Sequence, residues 1–340
     1  MPVTTRWTLP KVAPGRMEDM RHVIYGAGAV GGVIGANLHL GGVPVTLVAR
    51  GEHLARIRTD GLVLDRHDGR HVVRAAAVDS AAAVDWAPHT VVLLCVKSHQ
   101  TDAALDDLVA HAPPDVPVVC VQNGVANERT VLRRFPATYS VCVMLPSTHL
   151  EPGVVVQHSR GAPGILDIGR VPGGVDDVTE AVSADLHRGG FASVPRPDIA
   201  AWKHRKLLVN TVGDVRALCG PAPERDVLAA RVLAEGEAVL SAARIPVVTR
   251  AQDDERRGDL LRDRTDADLL HRGNSLWQSL SRGLDSEIDY RAGEIVLLGR
   301  LHDVPTPANE AMLRAARDLA GSDSPPHPLD AAALLASPSG

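Results

Sequence analysis

The sequence predicts a Rossmann-type, doubly wound α/β domain followed by an all-helical domain. Three observations carry the prediction. A short apolar run, Val23 to Tyr25, breaks into Gly26-Ala27-Gly28-Ala29-Val30-Gly31. Apolar runs of strand length then recur through the first half, with helix-length segments between them. Past about residue 195 the apolar residues recur instead at three- and four-residue spacing, the period of a helix face.

The elements follow in order. Residues 1–20 carry Arg6, Lys11 and Arg16 but no apolar stretch of leader length, and read as a flexible extension. Residues 21–195 form the nucleotide domain. Its strand–turn–helix unit has a mechanical use for each glycine: Gly26 for the tight turn, Gly28 for close approach of a pyrophosphate, Gly31 for packing of helix on strand. The anion would rest on the unpaired N–H groups at the helix N-terminus. Val43 to Val48 is the second strand and Glu52 to Arg58 a short helix. Leu62 to Leu64 and His71 to Val78 read as a hairpin around His67-Asp68-Gly69. Val91 to Val96 and Val118 to Val121 are continuous apolar runs, the mark of parallel strands buried on both faces. Tyr139 to Met144, Val154 to His158 and Ile165 to Ile168 add strands; Asp176 to His187 is a helix; Phe191 to Val194 closes the pattern. The linker is Pro195-Arg196-Pro197-Asp198, where two prolines stop a helix and Asp198 can cap the next. Residues 196–322 form the helical domain, with apolar periodicity through Ala200–Val215, Val227–Ala243, Ile288–Leu301 and Ala308–Ala320. Residues 323–340, rich in Pro, Ser, Asp and Ala, read as a mobile tail.

Composition excludes several classes of function. The 340 residues are 45% hydrophobic and carry a net charge of −5, with no dense basic stripe, so neither nucleic acid nor an anionic membrane is expected as a partner. No segment approaches the roughly 18 apolar residues of a membrane span, and a cytoplasmic location is expected. Cys95, Cys120 and Cys142 lie in Val-rich runs, and with Cys219 they form no CxxC pair. They read as apolar filler in a reducing compartment, and no metal site is expected.

The cofactor is read from the end of the second strand. An NAD enzyme places an acidic residue there, about 20 residues past the glycines, to hold a free ribose 2′-hydroxyl. This chain has Arg50, whose guanidinium suits a 2′-phosphate, and the expectation is NADPH. The alternative is a solvated Arg50 with Glu52 on the ribose.

Three further places could carry chemistry. Lys97, in Val96-Lys97-Ser98-His99-Gln100-Thr101, and Asn123, in Gln122-Asn123-Gly124, follow the C-terminal ends of parallel strands, where open α/β sheets bind ligands. Plain capping and turn residues are the alternative. The third place is Trp202 to Asp214, where Lys206, Asn210 and Asp214 share a helix face beside an apolar one. A solvated polar face is the alternative there.

Taken together, GAGAVGG, VKSHQT, QNG, KLLVN and SEIDY resemble the ketopantoate reductase family, over about residues 21 to 320. The resemblance implies NADPH-dependent reduction of the 2-keto group of ketopantoate, giving pantoate for pantothenate biosynthesis. It implies that Lys206 is the proton donor and that Asn123 sits between cofactor and substrate. Asn210 and Ser275 would bind substrate, Glu287 would lie near the nicotinamide ribose and the reacting centre, and Lys97 would bind cofactor. A positioned ammonium suits the chemistry, because hydride arriving at a carbonyl carbon leaves negative charge on its oxygen.

Three positions depart from the family's pattern: Asp214 and Arg272 where it has asparagines, and Ser279 where it has aspartate. Asp214 and Arg272 either pair with each other or shift the substrate. The expected partner is therefore a small keto acid, ketopantoate first; another ketone or an imine is the alternative. A non-catalytic NADP-binding sensor is the reading from another class, and retention of Lys206 and Glu287 argues against it. Whether the chain forms a homodimer stays open.

Overall fold

The computed structural model describes residues 20–264, 276, 287–320 and 328–336. The glycine unit folds as read: β1 (Arg21–Tyr25), α1 (Ala29–Leu40) and β2 (Val45–Val48). The chain continues through α2 (Gly51–Asp60), β3 (Leu62–Arg66), β4 (Gly69–Val73), β5 (Ala76–Val78), β6 (Thr90–Leu94), α3 (Thr101–His111), β7 (Val118–Cys120) and α4 (Asn127–Leu132). Then come β8 (Thr138–Met144), β9 (Ser147–Glu151), β10 (Val154–Gln157), β11 (Ile165–Arg170) and α5 (Asp177–Arg188). A seven-stranded sheet runs β11-β8-β7-β6-β1-β2-β5, parallel except for the antiparallel edge strand β11. A second, four-stranded sheet has the order β4-β3-β10-β9.

Strand alternation makes the main sheet a divider between two cores. Ile24 and Leu47 face one side with Ile34 and Leu38 of α1. Val23 and Tyr25 face the other, with Leu105 and Leu108 of α3. The chain leaves β1 toward β2 and later returns to β6 on β1's other flank, so the order reverses between β1 and β6. That reversal opens a crevice at the carboxyl ends of these strands, above Gly26–Gly28 and the loop after β6.

Two departures in this half have clear causes. Residues 62–73 do form a hairpin, but it belongs to the second sheet, and Ala76–Val78 leaves it to pair in parallel with β2. The exposed edge of β2 captured a segment that the sequence pattern joined to the hairpin. Where the sequence predicts a strand over residues 191–194, only isolated bridges form, Ala192 with Ile165 and Pro195 with Ile168 of β11.

The second half is helical among the described residues: α6 (Ile199–Leu218), α7 (Pro223–Ala242), α8 (Arg250–Arg257), a 3₁₀ turn Ile288–Tyr290, α9 (Ala292–Leu301), α10 (Pro307–Ala320) and α11 (Ala331–Ala336). No described helix is long and apolar enough to cross a membrane. Asp198 stands at the N-cap of α6, but its side chain makes no capping bond. Helix α8 was not expected, since it carries almost no apolar residue. It is set by a capping box in which Thr249 and Gln252 satisfy each other's backbone N–H. The tail expectation is corrected at residues 328–336, where Leu329 N–H bonds the Leu218 carbonyl and Ala331 is buried in the core of α7 and α10.

Helix α6 joins the halves. Its Lys203, 5% exposed, donates to the Gln122 carbonyl at 3.1 Å and to the Glu128 carboxylate of α4. Glu128 also accepts from Ser140 of β8 at 2.6 Å. Breaking such a pair leaves a buried charge uncompensated, at about 3–5 kcal/mol. Lys203→Met is therefore expected to lower stability in urea unfolding by about that much. The double variant Lys203→Met/Glu128→Leu should recover most of the loss. Equal loss in both variants would show that the pair is not what docks α6.

Candidate active site

The glycine loop is built for close approach. Gly26 has φ +103, and a Cβ there would stand 2.8 Å from the Val96 side chain. A Cβ at Gly31 would lie 2.2 Å from the Gly26 carbonyl, so α1 can sit against the loop only because both are glycine. Around Gly28, by contrast, nothing lies within 4 Å of where its Cβ would be. The space that the pyrophosphate reading requires is therefore open, at the N-cap of a helix with no acidic residue in its first turn. A dinucleotide fits these residues.

Arg50 is exposed at the N-cap of α2, directly after β2. Its charge acts on the Tyr25 hydroxyl, which donates to Asp107 at 2.5 Å. Glu52 is turned along its own helix, 3.9 Å from Arg56.

The loop after β6 closes on Glu287. This carboxylate is 6% exposed and accepts from Lys97 Nζ at 2.9 Å, Ser98 N–H at 3.2 Å and Ser98 Oγ at 3.0 Å. Burial alone would raise its pKa. The charges of Lys97 and Arg291, with the bonds from Lys97 and Ser98, outweigh burial and hold it below the usual glutamate value. From Ser98 a buried chain continues through Asn127, Thr101 and Gln122, at 2.9–3.0 Å per bond. It reaches the Lys203 pair. Gly124, at φ +80, lets the Tyr290 carbonyl come within 2.8 Å of where a Cβ would stand. The 3₁₀ turn next to Glu287 can therefore lie against the Gln122-Asn123-Gly124 loop.

The polar face of α6 meets the same loop. Asn210 Nδ2 donates to Asn123 Oδ1 at 3.4 Å. Lys206, one turn earlier, makes no hydrogen bond or ion pair of its side chain among the described residues. Its pKa is pushed down to about 8, by burial first and then by the charges of Arg257 and Arg291, with Cys142 and Asp253 pulling the other way. Each arginine is held by its own aspartate: Arg257 by Asp253 at 2.8 Å, Arg291 by Asp214 at 2.5 Å. The second pair is almost fully buried, at 3% and 2% exposure.

The structure thus brings Lys97, Asn123, Lys206, Asn210, Asp214 and Glu287 to one junction between α6 and the strand ends. Arg272, Ser275 and Ser279 lie outside the described residues. Among the described residues Asp214 pairs with Arg291, a partner that sequence reasoning did not name. Arg291, Arg257, Ser98 and Asn127 were missed. Ser98, inside VKSHQT, and Arg291, one residue past SEIDY, carried a local signal.

Comparison with known proteins agrees with this geometry. The model of ketopantoate reductase PanE/ApbA matches residues 22–173, and that of the ketopantoate reductase PanE/ApbA C terminal matches residues 198–320. The chain is 31% identical to a 2-dehydropantoate 2-reductase of Halobacterium salinarum over 304 residues, 85% of this chain and 95% of that one. It is 28% identical to the one of Pyrococcus horikoshii over 313 residues, 89% and 99% of the two chains. The crystal structure of a PanE/ApbA family ketopantoate reductase from Ralstonia eutropha JMP134 superposes with TM-score 0.76 at 26% identity, over 89% of this chain and 99% of that one. D-mandelate dehydrogenase with NADH and anilino(oxo)acetate reaches TM-score 0.77 at 21% identity over the same shares, and shares the fold. The chain belongs to the ketopantoate reductase family, oxidoreductases that act on CH–OH/C=O groups with NADPH.

Because Arg291 neutralises Asp214, removing the aspartate's charge should not improve an acidic substrate's access. Asp214→Asn is expected to cost about 3–5 kcal/mol of stability, the penalty for a broken buried pair. It should leave kcat/KM for ketopantoate unchanged or lower. A rise in kcat/KM with stability intact would mean that Asp214 faces the substrate as a bare anion.

Proposed function

We propose that this member of the ketopantoate reductase family reduces a small 2-keto acid, ketopantoate first, preferring NADPH to NADH. The observation that carries the reading is Lys206. It is a half-buried lysine with a lowered pKa and no side-chain partner among the described residues, on the helix face that meets Asn123. A structural lysine in such a place acquires a carboxylate, as Lys203 does three residues earlier. NADPH, when bound, supplies the hydride. Gly26 to Gly31 and the N-terminus of α1 would hold its pyrophosphate, Arg50 its 2′-phosphate, and Lys97 and Glu287 its nicotinamide half.

Lys206 carries the chemistry of the protein's own groups. Its ammonium faces the negative charge growing on the substrate oxygen and gives that oxygen a proton. Asn123 and Asn210 orient the substrate without competing for the proton. Arg257 and Arg291 add positive charge around the lysine, which favours an acidic substrate; Ser275 and Arg272 are further candidates for its carboxylate. Glu287, its oxygens already engaged by Lys97 and Ser98, positions the loop after β6 and can accept from ribose hydroxyls. The chain is a cytoplasmic enzyme on this reading, and its assembly as a homodimer is open to direct measurement in solution.

NADPH oxidation with a panel of 2-keto acids tests the function. Lys206→Ala is expected to lower kcat by about 10²–10⁴-fold while NADPH binding persists. The acid must be protonated to act, so keto-acid reduction in the unmutated enzyme should fall as pH rises through about 8. A flat profile there, or near-normal turnover of the variant, would remove Lys206 from the chemistry.

Cofactor preference rests on Arg50. A charge-assisted hydrogen bond is worth roughly 1.5–3 kcal/mol, so Arg50→Ala should weaken NADPH by roughly 10- to 150-fold and leave NADH almost unchanged. Equal affinity of the unmutated protein for both dinucleotides would overturn the preference.

A further inference from the structure

The glycine loop has a neighbour outside the family's sequence signature. His53, in the first turns of α2, reaches back to the loop: its Nε2 lies 2.8 Å from the Ala27 carbonyl oxygen. Its other nitrogen, Nδ1, accepts the Gly153 N–H at 2.8 Å. An acceptor nitrogen carries no proton, so the proton of the neutral ring sits on Nε2 and is donated to Ala27. Burial keeps the ring's pKa below the ordinary histidine value, against the opposing pull of the Ala27 bond. The ring is further steadied by His149 of β9, with centroids 4.1 Å apart.

The Ala27–Gly28 peptide is the first unit of the cradle. A trans peptide is planar, and its C=O and N–H point in opposite directions. The Ala27 carbonyl turns toward His53 and toward α1, where a Cβ on Gly32 would come within 2.9 Å of it. The Gly28 N–H therefore points the other way, and it donates to no group among the described residues. Gly28 also has open space around its missing Cβ. A flip of this peptide turns ψ of Ala27 and φ of Gly28, and with glycine at 28 the local chain resists it little. A flip would present the carbonyl oxygen to the phosphates, where it repels them.

We propose that His53 is a positioning residue for the cofactor: by holding the Ala27 carbonyl, it keeps the Gly28 N–H turned toward a dinucleotide pyrophosphate. The Gly153 N–H, in the turn between β9 and β10, sets the tautomer that makes this possible. The second sheet, which packs on α1 away from the reacting centre, thereby acts on cofactor affinity. The inference rests on the dinucleotide reading of the loop.

Two conservative variants separate the two bonds. His53→Gln puts an amide N–H where Nε2 stands and keeps the bond to Ala27. His53→Asn puts an amide oxygen where Nδ1 stands, keeping the bond from Gly153 but not reaching Ala27. NADPH binding is read by fluorescence titration, together with KM for NADPH and kcat at saturation. His53→Asn is expected to raise Kd and KM for NADPH about tenfold, the equivalent of one hydrogen bond, with kcat unchanged. His53→Gln should stay within about threefold of the parent. Equal weakening by both variants, or by neither, overturns the inference while the parent still binds NADPH. A parent that binds no dinucleotide overturns the cofactor reading and the inference together. Should His53→Asn not fold, the Gly28 amide resonance in His53→Gln is the readout: unmoved is expected, and a large shift overturns the inference.

Discussion

Two lysines one helical turn apart set the terms for the whole molecule. Lys203 is buried, paired with Glu128 and bonded to the Gln122 carbonyl; Lys206 has no side-chain partner among the described residues. The first is what makes the second useful. A buried ammonium is tolerable only where carboxylate and carbonyl acceptors surround it, so the position of α6 against α4 and β8 is narrowly defined. Once α6 is held there, residues one turn further along must project over the Gln122-Asn123-Gly124 loop. Asn210 finds Asn123 for that reason, and Lys206 is carried to a place where it has lost water without gaining an anion.

The same junction is sewn from the other side by Glu287. Its acceptors take up Lys97 and both polar groups of Ser98, and Ser98 passes the connection through Asn127 and Thr101 to Gln122. Glu287 and Lys203 are thus the two ends of one buried hydrogen-bonded chain. Networks of this kind are stabilising only when they are nearly complete, and they fix geometry more than they add energy. The floor of the crevice between the halves, near the strand ends, is consequently tied together by this chain.

How much of this was legible in the sequence depended on whether the physics was local. The glycine unit, the central strands and the main helices were legible because period, turn chemistry and burial on both faces act over a few residues. The clustering of Lys206, Asn210 and Asp214 was legible for the same reason, since a helix fixes what shares its face. Pairings across 75 to 190 residues were not: Lys203 with Glu128, Asp214 with Arg291, and Glu287 with Lys97 each join distant segments. Nothing in WKHRK distinguishes the lysine that is anchored from the one left poised. Burial decides between them, and burial belongs to the assembled fold. Helix α8 escaped notice because its stability comes from a capping box and from Arg256, which grips the buried Asp167 through two bonds at 2.6 and 2.8 Å, rather than from an apolar face.

The arginine–aspartate pairs bear on substrate choice by charge balance alone. Arg291 with Asp214 and Arg257 with Asp253 are each neutral as units, so they leave the surroundings of Lys206 close to the charge of the lysine itself. An aspartate standing where the family has a neutral amide need not repel a carboxylate, because its charge is cancelled at 2.5 Å before any substrate arrives. The orientation of the pairs then matters more than their sum. Arg257 acts on Lys206 more strongly than its partner Asp253, and Arg291 adds to it. Burial first, and then these two arginines, lower its pKa to about 8, toward the pH at which it must give up a proton, while its ammonium keeps a positive charge for an acidic substrate. The departure from the family's pattern at Asp214 is thus consistent with an unchanged charge class of substrate, compensated by Arg291 directly after SEIDY.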